Sequence, residues 1–231
     1  VRDKFIDTFK LHEYDILFIP GSGTLGVEAV VWSVLNRIRV VGHDGVFKSK
    51  WKRLTETHKK ETISYEKLYC QLETSNSSIF EEEGCIVDAI SSFPYYDIPK
   101  DTNIFITCTN KQLGGYPGLS IIGVRKDYWT NLRLPKEFSY LNLSRYQYYN
   151  EINQTPSTTP TQIFEHFESV LDEFDKFKLM KKINDNSLKV VEAIGEENII
   201  GEKMCPVITI PKEYISNELA IKWNLYGLYT K

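Results

Sequence analysis

Short apolar segments alternate with stretches of helical periodicity along the first half of the chain. Residues 15–20 form an apolar run that ends at Pro and Gly, which predicts a buried strand, and the apolar run at 25–35 is long enough for a buried helix. The same alternation continues to residue 124. It predicts an α/β fold with a mostly parallel sheet and helices on both faces. Further strands are expected at residues 37–41, 69–72, 85–90, 104–108 and 119–124, and further helices at 5–11 and 46–57.

The pattern changes after Arg125. Residues 140–153 are rich in Tyr and Asn, which predicts a loop or an ordered surface segment. After a turn-rich junction, Pro160 suits the first turn of a helix of about four turns, with apolar residues at helical spacing. A boundary inside or just after this helix separates a large domain from a small α+β C-terminal domain. The expected domains are residues 1–175 and 176–231, the second with a helix at 188–194, a strand at 207–210 and a helix at 215–225.

Composition and charge are those of an ordinary globular protein and exclude two kinds of partner. With a net charge of -3 and a pI near 5.9, the chain lacks the basic character that nucleic-acid binding requires. No apolar run approaches the ~18 residues that cross a membrane, and no signal peptide is recognisable. The four cysteines show no metal-ligand spacing, so we expect reduced core residues in a cytoplasmic protein. The sequence begins at Val1 rather than Met, and we expect it to be part of a longer protein.

A Gly-Ser-Gly-Thr segment at residues 21–24 lies between the first predicted strand and the helix that follows it. Its backbone amides, the hydroxyl groups of Ser22 and Thr24, and the positive end of the helix dipole favour a phosphate group there. The alternative is structural, since a tight turn from strand to helix also needs small residues. The segment matches neither the lysine-containing phosphate loop of nucleotide hydrolases nor the glycine pattern of dinucleotide-binding folds.

Two later residues, Asp88 and Lys111, have reactive or charged side chains next to buried strands. Asp88 lies in the apolar segment at residues 86–90. Burying its carboxylate costs free energy unless a buried group pairs with it, and a cationic ring nitrogen is one such group. Lys111 precedes a glycine-rich segment that lets backbone approach a ligand closely, and a lysine there can bond covalently to a carbonyl group. The alternatives are a capping or turn residue for Asp88 and a solvated surface residue for Lys111.

A phosphate site, a buried carboxylate and a lysine 23 residues beyond it are together the protein groups of a pyridoxal-5′-phosphate (PLP) site. Six sequence blocks in the same order resemble the class V aminotransferases, which are PLP enzymes of fold type I. Within that class the sequence most resembles the family of 2-aminoethylphosphonate–pyruvate transaminases. The blocks are Gly-Ser-Gly-Thr-Leu-Gly-Val-Glu-Ala at 21–29, Asp-Gly-Val-Phe-Lys-Ser-Lys-Trp at 44–51, Glu-Thr-Ser at 73–75, Val-Asp-Ala-Ile-Ser-Ser-Phe at 87–93, Asn-Lys at 110–111 with Gly-Tyr-Pro-Gly at 115–118, and Thr-Thr-Pro at 158–160.

The resemblance implies a role for each matching position. Lys111 would hold the cofactor covalently, and Asp88 would pair with the ring nitrogen, which makes these two the catalytic residues. Thr158, with Thr159 as a second candidate, would reach the phosphate of a neighbouring subunit, since the family forms homodimers with shared sites. The remaining cofactor contacts would be Ser22, Gly23 and Thr24 at the phosphate, Phe47 stacked on the ring, Thr74 or Ser75 near the ring hydroxyl, Ile90 under the ring, and Asn110 beside the lysine.

These roles imply an enzyme that moves an amino group between a small amine, such as 2-aminoethylphosphonate, and a 2-oxo acid, such as pyruvate. Two departures from the family favour alternatives. Ser75 and Asp88 are only 13 positions apart, which leaves little room for the helix usual there, and no arginine follows Arg145 to bind a substrate carboxylate. One alternative is a degenerate relative with a structural or assembly role. Another is a PLP lyase or desulfurase, which the lack of a cysteine in a mobile polar loop disfavours.

Overall fold

The computed structural model describes residues 1–211 and 213 and has a six-stranded sheet at its centre. Two further strands form a separate hairpin. The strands are β1 (Tyr14–Pro20), β2 (Arg37–Val40), β3 (Tyr65–Cys70), β4 (Leu72–Glu73), β5 (Ser78–Ile79), β6 (Ile86–Asp88), β7 (Ile104–Cys108) and β8 (Leu119–Arg125). The helices are α1 (Arg2–Phe9), α2 (Gly23–Ser33), α3 (Val46–Thr57), α4 (Leu143–Glu151), α5 (Thr161–Asp172) and α6 (Lys176–Ile194).

Five of the six strands of the main sheet run in the same direction, in the order β1-β8-β7-β6-β3-β2. The strands β2, β3, β6 and β7 pair in parallel, and β8 runs antiparallel to its neighbours β7 and β1. Only residues 109–118 connect β7 to β8. A parallel pair needs a crossover of about a dozen residues or more, so this short link requires β8 to reverse. The predicted mostly parallel α/β sheet is confirmed, and the carboxyl ends of β1, β3, β6 and β7 meet at one edge.

Helices cover both faces of the sheet, as the apolar pattern predicts. Successive side chains of a strand point to opposite faces. Leu17 and Ile19 of β1 therefore join a core with α2, α3 and α4, whereas Tyr14 and Ile16 join a second core with α1 and α5. Phe167 of α5 is fully buried in the second core. The sheet is thus enclosed between two layers of helices.

Residues 140–153 contain helix α4, so the ordered segment that the sequence allowed is present, and the other alternative, a loop, is wrong for most of these residues. Asn142 begins the helix, because its Oδ1 atom accepts a hydrogen bond from the backbone N–H two residues later at 3.0 Å. Leu143 and Tyr146 are buried in the core below it, whereas Tyr148 on the same helix is 49% exposed. Since tyrosine serves here as both a core and a surface residue, the apolar periodicity of the helix was hidden in the sequence.

The helix predicted after Pro160 is confirmed as α5, and a second helix begins soon after it ends. Asp175 begins α6, because its Oδ1 atom accepts a hydrogen bond from the backbone N–H three residues later at 3.0 Å. The helix predicted at 188–194 is the last part of this longer helix. The division of the chain into domains 1–175 and 176–231 stays a prediction.

A hairpin of β4 and β5 lies between β3 and β6, and the short stretch after Ser75 contains no helix, in agreement with the little room that the sequence leaves there. The segment predicted as a strand at 207–210 makes only an isolated bridge, at Thr209. This segment packs on the turn of the hairpin, where the Ser77 hydroxyl donates a hydrogen bond to the Val207 carbonyl at 2.7 Å. The helix predicted at 215–225 lies outside the described residues.

The four cysteines are all unpaired, as the sequence predicts. Cys85, Cys108 and Cys205 are buried, and Cys70 is partly buried. Among the helices of the described residues, none combines the length and the apolar character needed to cross a membrane.

Candidate active site

A cavity of about 300 Å³ opens at the carboxyl edge of the sheet, and its lining includes the last residues of β3, β6 and β7. This is the edge at which open α/β sheets bind ligands. Eight predicted site residues line it: Ser22, Gly23, Thr24, Phe47, Asp88, Ile90, Asn110 and Lys111. The other lining residues are Lys50, Trp51, Cys70, Leu72, Ser91 and Cys108.

The predicted phosphate segment forms the N-cap and first turn of α2. Ser22 caps the helix with a long hydrogen bond, which its Oγ atom accepts from the backbone N–H three residues later at 3.4 Å. Gly23 packs so closely on Ile90 that a Cβ atom would lie 2.7 Å from Ile90 Cδ1. The Oγ1 atom of Thr24 accepts a hydrogen bond from the Lys50 amine at 2.9 Å. The positive end of the α2 dipole is therefore at the cavity, with two hydroxyl groups beside it.

Asp88 is the last residue of β6 and is only 3% exposed. Its Oδ2 atom accepts a hydrogen bond from Trp51 Nε1 at 2.8 Å, and its Oδ1 atom accepts one from the backbone N–H of Ile90 at 3.0 Å. Burial still raises the pKa of this carboxyl group to about 6, because removal from water disfavours the charge more than these two donors and the Cys70 thiol favour it. None of the described residues places a cation against Asp88. A cationic ligand group would therefore stabilise its ionised form.

Lys111 follows β7 and lies in a turn, exposed at the cavity. Its backbone carbonyl accepts a hydrogen bond from the backbone N–H of Gly114 at 3.1 Å, which closes the turn. In the part of the chain that the structure describes, the Lys111 amine has neither an acidic partner nor a hydrogen bond. Asn110 beside it is exposed and also lines the cavity. An amine that no carboxylate holds is available to a carbonyl group of a ligand.

Helix α3 supplies two aromatic rings to the cavity. Phe47 and Trp51 lie one turn apart, with ring centroids separated by 6.1 Å, and both line it. Trp51 and Lys50 were not predicted as site residues. The sequence nevertheless held a signal for them, because residues three and four positions after Phe47 share its helix face.

Thr74 and Ser75 do not line the cavity. The Ser75 hydroxyl accepts a hydrogen bond from the first backbone N–H of α3 at 3.0 Å and donates one to Glu73 Oε1 at 2.6 Å. Glu73, only 1% exposed, accepts two more hydrogen bonds from the next two backbone N–H groups of α3, each at 3.0 Å. A carboxylate at a helix N-terminus is favourable because of the helix dipole. This block therefore positions the helix that carries Phe47.

Thr158 and Thr159 also lie away from the cavity of their own chain. Thr158 is exposed, and Thr159 lines a second cavity of about 390 Å³, together with residues at the N-terminus of the chain and near the end of α4. The structure therefore gives Thr158 no contact with the site of its own chain. Its contact with the site of a neighbouring subunit stays a prediction.

Two cysteine thiols line the cavity, at the ends of β3 and β7. Burial raises the pKa of Cys70 well above its usual value and also raises the pKa of Cys108. The thiolate is the nucleophilic form of cysteine, so thiols with raised pKa values are weak nucleophiles. The geometry gives no support to a lyase or desulfurase that works through cysteine.

No protein-family model and no curated protein matches this sequence. Solved structures do match it in three dimensions. An alanine–glyoxylate aminotransferase from Nostoc sp. aligns with a TM-score of 0.77 at 14% identity, over 97% of this chain and 74% of its own. For a ureidoglycine–glyoxylate aminotransferase from Bacillus subtilis the TM-score is 0.71 at 18% identity, over 99% of this chain and 72% of its own.

A PLP-bound phosphoserine aminotransferase from Trichomonas vaginalis aligns with a TM-score of 0.73 at 14% identity, over 96% of this chain and 74% of its own. All three alignments extend over nearly the whole chain. The chain therefore has the fold of the PLP-dependent aminotransferases, as the sequence resemblance implied. Identities this low establish the fold alone.

Proposed function

We propose that this protein is a PLP-dependent aminotransferase of class V in which Lys111 holds the cofactor. One observation carries the proposal. A single cavity brings together the N-terminus of α2, the buried carboxyl group of Asp88 and the exposed amine of Lys111. The Asp88 carboxyl group has no cation against it, and the Lys111 amine has no acid against it, within the described residues. Aminotransferases with the same fold, one of them PLP-bound, support this interpretation.

The groups around the cavity fit the parts of PLP. A phosphate suits the N-terminus of α2, where backbone amides and two hydroxyl groups are available. A protonated pyridine nitrogen suits Asp88, a buried carboxyl group with a raised pKa and no cation beside it. Phe47 and Ile90 offer apolar surface to a flat ring, and Lys111 offers an amine to an aldehyde. The volume, about 300 Å³, is at the lower end of small-molecule sites.

The chemistry divides between the cofactor and the protein. PLP, when bound, supplies a cationic ring that withdraws electrons from the α-carbon of an attached amine. Asp88 would pair with the ring nitrogen and favour its protonated form, because an opposite charge in a buried site stabilises the cation. Lys111 would hold the cofactor through its amine, and the same amine would be the group available to move a proton to or from the substrate α-carbon. The aromatic rings of Phe47 and Trp51, which line the cavity, would shield one side of a bound cofactor from water.

The proposed substrates are inferred from the sequence resemblance. We propose a small amine as the amino donor, with 2-aminoethylphosphonate as the first candidate, and a 2-oxo acid such as pyruvate as the acceptor. The aminotransferases of the same fold are likewise named for small substrates such as alanine and glyoxylate. A cytoplasmic location is part of the proposal, because unpaired cysteines are typical of reducing compartments.

Addition of PLP to the purified protein tests the proposal. We expect a yellow colour that stays with the protein through gel filtration, since a lysine bound to PLP absorbs visible light. A degenerate relative that binds no cofactor would stay colourless, whereas one that binds the cofactor in a structural role would be coloured and show no transamination. Transamination assays with the candidate amine and pyruvate would then follow on the coloured protein.

We also propose a homodimer with shared sites, in which Thr158 reaches the cofactor phosphate bound by the partner subunit. Thr158 is exposed and does not line the active-site cavity of its own chain. Phe138 and Tyr140 expose 75% and 67% of their surface, and large exposed aromatic residues are typical of surfaces that a partner subunit covers.

Thr158→Val is expected to weaken PLP binding about tenfold, the effect of one lost hydrogen bond to a charged group, and to leave the dimer intact. Thr155→Val, in the same exposed segment, is the control.

Light scattering at micromolar concentration and PLP titration measure the two parts of this prediction. The expected mass is twice the chain mass of 26.8 kDa. A monomer that binds PLP tightly would refute the shared site. A dimer whose PLP affinity is the same with Thr158→Val would remove Thr158 from the site and leave the dimer standing.

A further inference from the structure

Lys50 is a charged residue at the cavity that neither the sequence resemblance nor the catalytic scheme uses. It is exposed on α3, and its amine donates a hydrogen bond to Thr24 Oγ1 at 2.9 Å. Thr24 belongs to the first turn of α2, so the Lys50 amine lies at the N-terminus of that helix. Within residues 1–211 and 213, no carboxylate pairs with this amine.

This position is electrostatically unfavourable without a further group. The N-terminus of a helix carries about half a positive charge, so a lysine cation beside it is repelled. Ordering the long lysine side chain also costs conformational entropy. The two aromatic rings of α3 offset part of this cost, since the Lys50 amine lies 5.2 Å from the Trp51 ring centroid and 5.9 Å from that of Phe47. An anion between the N-terminus of α2 and the Lys50 amine would be attracted by both positive groups and would remove their mutual repulsion.

We infer that Lys50 is a ligand of the cofactor phosphate and supplies a full positive charge from the same chain that carries Lys111. The inference rests on the proposed function, because the anion in question is the phosphate of PLP. Neutral hydroxyl and amide donors alone would leave the charge of a phosphate dianion largely uncompensated. Lys50 therefore makes the site selective for the phosphorylated cofactor over pyridoxal, which has the same ring and aldehyde without the phosphate.

A comparison of PLP and pyridoxal isolates this contribution. Lys50→Gln is expected to weaken PLP binding about 10- to 100-fold, the range for loss of a charge-assisted hydrogen bond. Binding of pyridoxal is expected to stay within about twofold of the wild type, since pyridoxal lacks the group that Lys50 contacts. Lys50→Arg keeps the charge and should retain most of the PLP affinity. Lys52→Gln removes the same charge from an exposed position of α3 outside the cavity, and serves as the control.

The outcomes separate the inference from the proposed function. If the wild type binds neither PLP nor pyridoxal, the proposed function fails and the inference fails with it. If the wild type binds PLP and Lys50→Gln weakens PLP and pyridoxal equally, or weakens neither, only the role of Lys50 is wrong. Retained pyridoxal binding by Lys50→Gln also shows that the variant is folded, so a selective loss of PLP affinity cannot come from misfolding.

Discussion

Lys111→Ala is expected to abolish covalent binding of PLP and to lower the transamination rate by about 1,000-fold or more. Two functions would be lost together, because under the proposed function the same amine bonds to the cofactor aldehyde and later moves the substrate proton. The fold should be unaffected, since Lys111 is exposed and its amine forms no hydrogen bond or ion pair with a described residue. The yellow colour of the PLP-loaded protein should therefore be absent while the far-ultraviolet circular dichroism spectrum is unchanged.

Two controls make the Lys111 prediction specific. Lys100→Ala removes another exposed lysine and should keep the wild-type colour and rate. Small primary amines added to Lys111→Ala should restore part of the rate, because a free amine can enter the space left by the side chain and move the proton. A variant that keeps near wild-type turnover without added amine would show that another residue performs the chemistry.

Asp88→Asn is expected to lower the transamination rate by about 100- to 1,000-fold, the usual effect of removing a preorganised electrostatic partner from a buried site. The asparagine side chain has no charge to keep the ring nitrogen protonated. It also replaces one of two acceptor oxygens by a donor, so either Trp51 Nε1 or the Ile90 backbone N–H loses its partner. Asp101→Asn, at an exposed position, should behave as the wild type.

The pH dependence of unfolding gives a second readout for Asp88 that needs no activity. The pKa of this carboxyl group is about 6 in the folded protein and near 3.8 otherwise, so between these values the folded state binds more protons than the unfolded state. The free energy of unfolding contributed by Asp88 is thus fully present below pH 3.8 and is lost as the pH rises to about 6. The loss corresponds to about 3 kcal/mol.

Denaturant unfolding of the cofactor-free protein across this range measures the effect. The wild type should lose stability relative to Asp88→Asn as the pH rises, because asparagine does not titrate and its lost hydrogen bond gives an offset that is the same at every pH. A stability difference between the two proteins that does not change with pH would contradict the raised pKa of Asp88.

The sheet and its two covered faces could be predicted from the sequence. When helices cover both faces of a sheet, its strands are continuous apolar segments with no alternating polar residues. Ile104 and Phe105 show the effect, since adjacent residues of β7 join opposite cores. The cavity could be predicted because the carboxyl ends of parallel strands meet at one edge. Asp88 and Lys111 are far apart in sequence, yet each comes at the end of a strand or just after one, so both line that edge.

Features that depend on contacts between residues far apart in sequence could not be predicted from the sequence pattern. Thr74 or Ser75 was expected near the ring hydroxyl, but the block that holds them caps a helix. The Glu73 carboxylate accepts hydrogen bonds from the N-terminus of α3, which begins 27 residues earlier, and no local pattern marks such a pairing. Lys50 resembled any solvated lysine of an amphipathic helix until Thr24 was placed beside it. The role of Thr158 comes from the sequence resemblance alone. It concerns a contact with a neighbouring subunit, which the structure of a single chain does not contain.

Borohydride reduction of the PLP-loaded protein, followed by mass mapping of its peptides, tests the central claim most directly. Reduction makes the bond between a lysine and PLP permanent, so the modified residue can be identified from peptide fragments. The proposed site predicts a single label, on Lys111. A label on another lysine, or no label on protein supplied with PLP, would contradict the assignment of Lys111 as the residue that holds the cofactor.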